Sequence, residues 1–275
     1  MSIIQGRLGK ISIGGTAYPC YSWSMSAPRN LQPGAPVGNT FATNIAEGLQ
    51  STRVDVQFMF RTKSTELLSL AFWNLWMSRT FGSGFDDTAA NTIIGTSGQS
   101  TYTLANCKAE SFSVSIRKGQ EIGVRGTFLA PALPTKAAAN TATSYLNTVD
   151  SSGKMMFDQA TISGFTGSVY GLDFAYSNNH LPNAPLDGTK FVGYWEAGQM
   201  VASASATVAE IPYGTDPCAD GTNVTVAIAG ARTFSLTSMN ANNERDLTVT
   251  PGQTFQPLNF IVLGNNTPTA PLVIT

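Results

Sequence analysis

TSGQSTYTLANCKAESFSVSIRKGQ, from Thr96 to Gln120, is answered further along the chain by IAGARTFSLTSMNANNERDLTVTPGQ, from Ile228 to Gln253. Gly98, Thr101, Tyr102 and Leu104 fall on Gly230, Thr233, Phe234 and Leu236. Val114, Ile116, Gly119 and Gln120 fall on Leu247, Val249, Gly252 and Gln253. Each copy reads as strand, loop, strand and a Gly-centred turn. A repeat on this scale takes precedence over residue-level patterns, because it fixes how many times one architecture is built.

The match extends upstream. Ala35-Pro36-Val37 corresponds to Ala184-Pro185-Leu186, Phe41 and Gly48 to Phe191 and Gly198, and Tyr21, Trp23 and Met25 to Tyr170, Leu172 and Phe174. Between the two matched regions the register changes by about seventeen residues, so the second copy lacks a piece near Leu67 to Gly84. The expected fold is therefore mainly β, with two tandem β-sandwich or half-barrel domains from an internal duplication. They span residues 1–136 and 150–275, with a linker over 137–149 and one buried helix in the first copy.

Composition narrows the function. The 275 residues carry a net charge of −1 and only 12% charged side chains. That balance provides no basic field for holding nucleic acid. Soluble monomers usually carry about 25% charged residues, so much of this surface is expected to be covered by partners. Cys20, Cys107 and Cys218 are too few and scattered for a disulfide framework or metal-ligand spacing, and are read as reduced. No apolar leader or long apolar run indicates export or membrane spanning.

Taken in order, Gly9–Ile13 and Ala17–Ala27 read as strands around a Gly14-Gly15 turn. In the second, Tyr21, Trp23 and Met25 alternate with Ser22, Ser24 and Ser26, the pattern of a half-buried antiparallel strand. Residues 28–45 and their counterpart at 177–192 are rich in Pro, Gly and Asn and lack periodicity, and are expected to be ordered binding loops. A strand entered through Gly48 alternates Val54, Val56, Phe58 and Phe60 with Arg53, Asp55, Gln57 and Met59. The spacing predicts a helix from about Ser64 to Arg79, capped by Ser64 or Thr65. Being apolar nearly all round, it is expected either to close a sandwich end or to wedge against a neighbouring subunit.

Catalytic signals are absent. His180 is the sole histidine and lies in the second loop, where a surface position is the expectation. Asp86-Asp87 and Glu244 with Asp246 sit in turn-rich sequence without calcium-loop spacing. The Gly-rich stretches lack a phosphate-loop Lys-Ser/Thr. No enzyme activity, cofactor or metal is expected.

The hairpin GKISIGGTAYPCYSWSMS, the strand entered through GLQSTRVDVQFMF and the duplicated Gly-turned hairpins resemble the duplicated tail tube proteins of long-tailed bacteriophages. The resemblance covers essentially the whole chain and implies a virion protein assembled in the host cytoplasm. Its rings would be trimers of pseudo-sixfold symmetry, stacking into a hollow tube that conducts DNA. The implied partners are further copies of the chain, together with tape measure, tail terminator and baseplate or tip proteins, with no membrane.

Two site expectations follow. Leu31, Pro33, Pro36 and Phe41 in the first loop, with Leu181, Pro185 and Phe191 in the second, would contact the next ring. Ser22, Ser24, Arg53, Asp55, Ser111, Ser113, Ser115, Asp173, Ser203 and Ser205 would face a lumen that passes DNA without holding it, the arginines partly neutralised by carboxylates from the same or a neighbouring chain. The residues leave open a different class, a soluble two-domain carbohydrate-type binding module using the same loops.

Overall fold

A computed structural model describes residues 9–28, 31–34, 44–47, 50–61, 65–77, 90–96, 100–138, 153–183, 194–196, 198–209, 218–228, 232–241, 248–250, 253–263 and 271–275. The first half supplies β1 (Gly9–Ile13), β2 (Thr16–Ser26), β3 (Leu31–Gly34), β4 (Asn44–Glu47), β5 (Thr52–Phe58), helices α1 (Thr65–Leu68) and α2 (Leu70–Met77), β6 (Asn91–Thr96), β7 (Ser100–Arg117), β8 (Gly123–Ala130) and β9 (Thr135–Ala138). The second supplies β10 (Ala160–Ser163), β11 (Val169–Ser177), β12 (Leu181–Asn183), β13 (Tyr194–Glu196), β14 (Val201–Ala209), β15 (Thr222–Ile228), β16 (Arg232–Ala241), β17 (Thr248–Thr250), β18 (Gln253–Val262) and β19 (Leu272–Ile274).

The chain is mainly β, and 15 of its strands join one sheet, all pairs antiparallel. Strands β7, β6, β1, β2, β5 and β8 pair in turn, and β8 returns to β7, so the first half closes as a six-stranded barrel. Two facing sheets of a sandwich are not seen among the described residues. Closure depends on β7, whose 18 residues serve two sets of neighbours. Up to Cys107 it pairs with β6, and from Lys108 onward with β8. The expected loop inside this stretch is a bulge: Asn106 takes φ +55°, a left-handed conformation that Asn tolerates, and the strand bends there without ending.

The same pairing order recurs in the second half, where β11–β14, β14–β18, β16–β18 and β15–β16 parallel β2–β5, β5–β8, β7–β8 and β6–β7. Ser238, with φ +47°, bends β16 at the position matching Asn106. β19 pairs Ile274 with Phe234 where β9 pairs Lys136 with Tyr102. Thus residues 137 and 138, expected in a linker, belong to a strand that folds back on β7. Residues 139–152 lie outside the described residues, and 153–157 bind the first half through Met155 N–H to the Phe60 carbonyl and Ile122 N–H to the Met155 carbonyl.

Several local expectations are corrected. β5 ends at Phe58, so Met59 and Phe60 are both buried instead of alternating. A register shift between Cys20 and Ser22 turns Tyr21 outward, where its hydroxyl donates to Glu121. The two long loops, expected to be ordered but without strand periodicity, contain short strands: β3–β4 and β12–β13 form two-stranded ribbons apart from the main sheet. Pro33 and Pro182 sit in these ribbons, where a missing N–H is tolerated at an open edge.

The predicted helix breaks at Ser69. Its hydroxyl donates to the Glu66 carbonyl and accepts the Phe72 N–H, capping α2 from inside the apolar run. Leu67, Phe72, Trp73 and Trp76 are buried, whereas Leu70, Ala71 and Asn74 are exposed, so burial is one-sided. Phe72 meets Tyr18 and Phe58, and Trp76 meets Phe58, Phe112 and Phe128, ring to ring. A Cβ on Gly126 would lie 2.5 Å from the Trp76 ring, so this close approach of helix to β8 requires glycine. Trp73 reaches past the barrel to Phe234 in β16 at 4.8 Å between centroids. The helix therefore covers its own barrel and wedges against the other half of the same chain.

Candidate functional site

Antiparallel pairing places the small polar residues of both halves on one surface. Along the path β2, β5, β8, β7, β11, β14, β18, cross-strand partners run Ser24–Asp55, Asp55–Thr127, Thr127–Ser111, Ser111–Ser177, and then Ser177–Val201. A parallel row runs Gln57–Arg125, Arg125–Ser113, Ser113–Ala175, Ala175–Ser203 and Ser203–Ile261. Each row stays on one face because side chains alternate with period two. The opposite face carries Val54, Val56, Phe112, Val114, Phe174 and Tyr176, all buried.

Strand parity puts Ser22, Ser24, Arg53, Asp55, Ser111, Ser113, Ser115, Asp173, Ser203 and Ser205 on the same side of the sheet. Ser22, Ser24, Arg53, Asp55, Ser111, Ser113 and Ser203 line one concave groove of about 630 Å³, and Ser115 and Asp173 border an adjoining hollow with Arg117 and Arg125. Asp173 and Ser205 also line a third hollow with Lys118 and Tyr170. Gln57, Thr127 and Ser177 belong to the face as well, and the alternation that marks Asp55 and Ser113 marks them too. Of the loop residues, Leu31 and Pro33 lie in β3 and Leu181 in β12, the last 59% exposed. Pro36, Phe41, Pro185 and Phe191 lie outside the described residues, as do Asp86, Asp87, Glu244 and Asp246.

Two of the arginines on this face, Arg53 and Arg117, pair with carboxylates, while Arg125 on the same face has no carboxylate partner among the described residues. Arg53 Nε sits 2.9 Å from Asp55 Oδ2, and Thr127 donates to Asp55 Oδ1 at 2.8 Å. Burial alone would raise the Asp55 pKa, but hydrogen bonds from Arg53 and Thr127, with the Arg53 charge, hold it below the ordinary carboxylate value. Arg117 Nη2 lies 2.8 Å from Asp173 Oδ2 across the β7–β11 junction, and the hydrogen bond to that carboxylate raises the Arg117 pKa.

His180 corrects an expectation: it is buried, not a surface residue. Its Nδ1 is 2.6 Å from Glu110 Oε2, the same oxygen accepts its backbone N–H, and Ser177 donates to Glu110 Oε1. Burial would raise the Glu110 pKa, but these bonds and the His180 charge outweigh it and lower the value. Beside it Asn178, fully buried, donates to the carbonyls of Trp76 and Ala109 and accepts from the Tyr176 hydroxyl. Glu110 and His180 stand 70 residues apart, and only the β7–β11 pairing joins them. Spacing along the chain carried no sign of it.

The three cysteines are buried and form no disulfide. Burial pushes the Cys20 and Cys107 thiols up to about 12, which leaves them protonated and poorly nucleophilic. Among the described residues no group of three His, Cys, Asp or Glu is placed to hold a metal. No helix among them is long and apolar enough to cross a membrane. No family model matches the chain, and no curated protein matches it.

Proposed function

We propose that the chain is a structural, ring-forming protein whose rings stack into the tail tube of a long-tailed bacteriophage. The observation that carries this reading is the serine-rich, concave face that continues across both halves, interrupted by Ala175, Val201 and Ile261, with Arg53 and Arg117 paired to carboxylates. A conduit for DNA must avoid retaining it. Every phosphate neutralised by a free Lys or Arg releases counterions and strengthens binding, so paired arginines among short hydroxyls suit the lining of a lumen.

The recurring pairing order and the matched bends at Asn106 and Ser238 support two copies of one domain. Three chains would then supply six walls to a ring of pseudo-sixfold symmetry, with a helix of its own in the first half alone among the described residues. The ribbons β3–β4 and β12–β13, detached from the main sheet, suit axial contact with the next ring through Leu31, Pro33 and Leu181. Tape measure, terminator and baseplate or tip proteins would meet the ring's ends, and the tube would reside in the virion after assembly in the host cytoplasm. Electron microscopy of the purified protein tests the reading: rings or hollow tubes are expected. Dispersed monomers would overturn it in favour of a soluble carbohydrate-type binding module.

A further inference from the structure

Between the end of β11 at Ser177 and the start of the β12–β13 ribbon at Leu181 the chain is fixed residue by residue. Asn178 N–H donates to the Glu110 carbonyl. Asn179 takes φ +47°, a left-handed conformation that asparagine tolerates, and its Nδ2 donates to the Gln199 carbonyl at 2.8 Å, tying the two feet of the ribbon together. Gly198 lies so close to the Asn179 carbonyl that a Cβ there would overlap it, so the second foot requires glycine. His180 then turns its ring fully inside.

The first foot rests on one carboxylate of β7. Glu110 Oε2 accepts the His180 backbone N–H at 3.1 Å and the ring Nδ1–H at 2.6 Å, and Oε1 accepts from Ser177 at 3.3 Å. A register shift between Ala109 and Ser111 leaves Glu110 without a partner in β8, a bulge of the kind that re-aims a side chain. Beyond this foot the ribbon forms a sheet of its own, and Leu181 in it is 59% exposed. Bonds to an ionised carboxylate are roughly twice as strong as neutral ones, and a protonated carboxyl turns one of its oxygens into a donor.

We infer that Glu110 is a catch that fixes the β12–β13 ribbon against β7, and that acid releases the ribbon while both halves stay folded. Among the described residues the charged groups facing Glu110 are His180 and, from β5, Arg53, with Lys108 two residues back on β7 itself. Helix α2 and the facing part of β8, Thr127 to Leu129, carry no charge. The bonds from His180 and Ser177 hold Glu110 below the ordinary carboxylate value. The ribbon is therefore caught above about pH 4.3 and freed as pH falls through the depressed value.

The first ribbon lacks these parts. Under the repeat His180 falls on Leu31, and Glu110 falls on Asn242 or Asn243. The two ribbons of one chain thus differ in how they are held. Under the ring reading, on which this step alone rests, half of the axial arms are ordered before they meet the next ring, and pre-ordering lowers the entropic cost of docking.

Hydrogen exchange of the full-length protein, compared at equal pH and corrected for intrinsic rates, tests the catch. E110Q is expected to lower the protection of residues 181–183 and 194–196 about tenfold or more, the worth of a charge-assisted bond, while 202–208 in β14 keeps its own. H180F retains bulk without the ring donor; it is expected to act in the same direction and stands in should E110Q fail to fold. From pH 6 down to pH 3 the wild-type ribbon is expected to lose protection and the E110Q ribbon to stay level. Unchanged ribbon protection in the folded variants, or equal loosening of β11, β14 and the ribbon, would overturn the catch. So would failure of both variants to fold, because the pair would then belong to the core. Wild-type protein without rings or tubes by microscopy would remove the ring reading and leave the catch, whereas rings with an unaltered E110Q ribbon would remove the catch alone.

Discussion

In the first half, β5 sends Val54, Val56 and Phe58 into the core; in the second, β14 sends Ala204, Ala206 and Val208 into the matching positions. The strands pair alike and differ in what lies above them. Phe58 meets the rings of Phe72 and Trp76 on α2, while the second half has no α-helix of its own among the described residues. One helix serves both, since Trp73 touches Phe112 in β7 and Phe234 in β16. Two halves with the same strand-pairing order thus share a single helix where the joint brings both cores beneath it.

The largest expected effect breaks that arrangement. Trp76 is fully buried among Phe58, Phe112 and Phe128, and W76A is expected to cost about 3–5 kcal/mol in urea unfolding. A loss below about 1 kcal/mol, the range of volume-conserving swaps, would show that the helix does not fill the first half. W73A should differ in kind, because it also strips a ring contact from Phe234, and the second half should loosen with the first. Hydrogen exchange resolved to β16 measures this directly.

A smaller effect sits at the joint. Asn178 satisfies the Trp76 and Ala109 carbonyls from one buried amide, and N178L would leave both without that donor. About 1–3 kcal/mol is expected for each buried group left unsatisfied. The neighbouring Asn179 is exposed, so N179A at the same strand end is expected to cost less. Equal losses would mean the amide network does not secure the joint.

Alternation was the legible part of this molecule. Period two in Ser22–Met25 and Arg53–Phe58 put both strands' polar residues on the correct face, because a sheet with one buried side enforces it. It failed at Tyr21, where a bulge inserts one residue and reverses parity with no Gly or Pro to announce it. The capping serine was visible as a residue but not as a boundary, since Ser69 lies inside an unbroken apolar run. Barrel closure was not legible. It follows from β7 continuing through Asn106, and an Asn-containing polar stretch reads equally as a loop. The ribbons β3–β4 and β12–β13 lie in proline-rich sequence that offers no periodicity to read.

The Glu110–His180 pair gives the joint a pH signature. Glu110 has a lowered pKa in the folded chain, so its contribution to stability is complete above the ordinary value, near 4.3 for an unperturbed glutamate, and is lost as pH falls through the depressed one. E110Q is expected to remove this part of the acid sensitivity, flattening the loss of stability below about pH 4. Denaturant midpoints measured from pH 3 to pH 6 would check it, and parallel curves for the two proteins would show that the joint does not titrate through Glu110.

The smallest effect on stability concerns the other ion pair at this joint and separates the wall's structural role from its electrostatic one. Arg117 and Asp173 are both substantially exposed, so their attraction is screened, and D173N is expected to change stability by about 0–1 kcal/mol. The substitution does, however, leave Arg117 on the polar face without its carboxylate. An unpaired guanidinium can neutralise a phosphate, so short duplex DNA should bind D173N more tightly than wild type at low salt. The difference should vanish as salt rises, with the dependence steepened by about one contact. Fluorescence anisotropy of a labelled duplex reads this without assembled tubes. If D173N instead unfolds the joint, Asp173 is an anchor of the fold, and the pairing of charges on the wall says nothing about what passes along it.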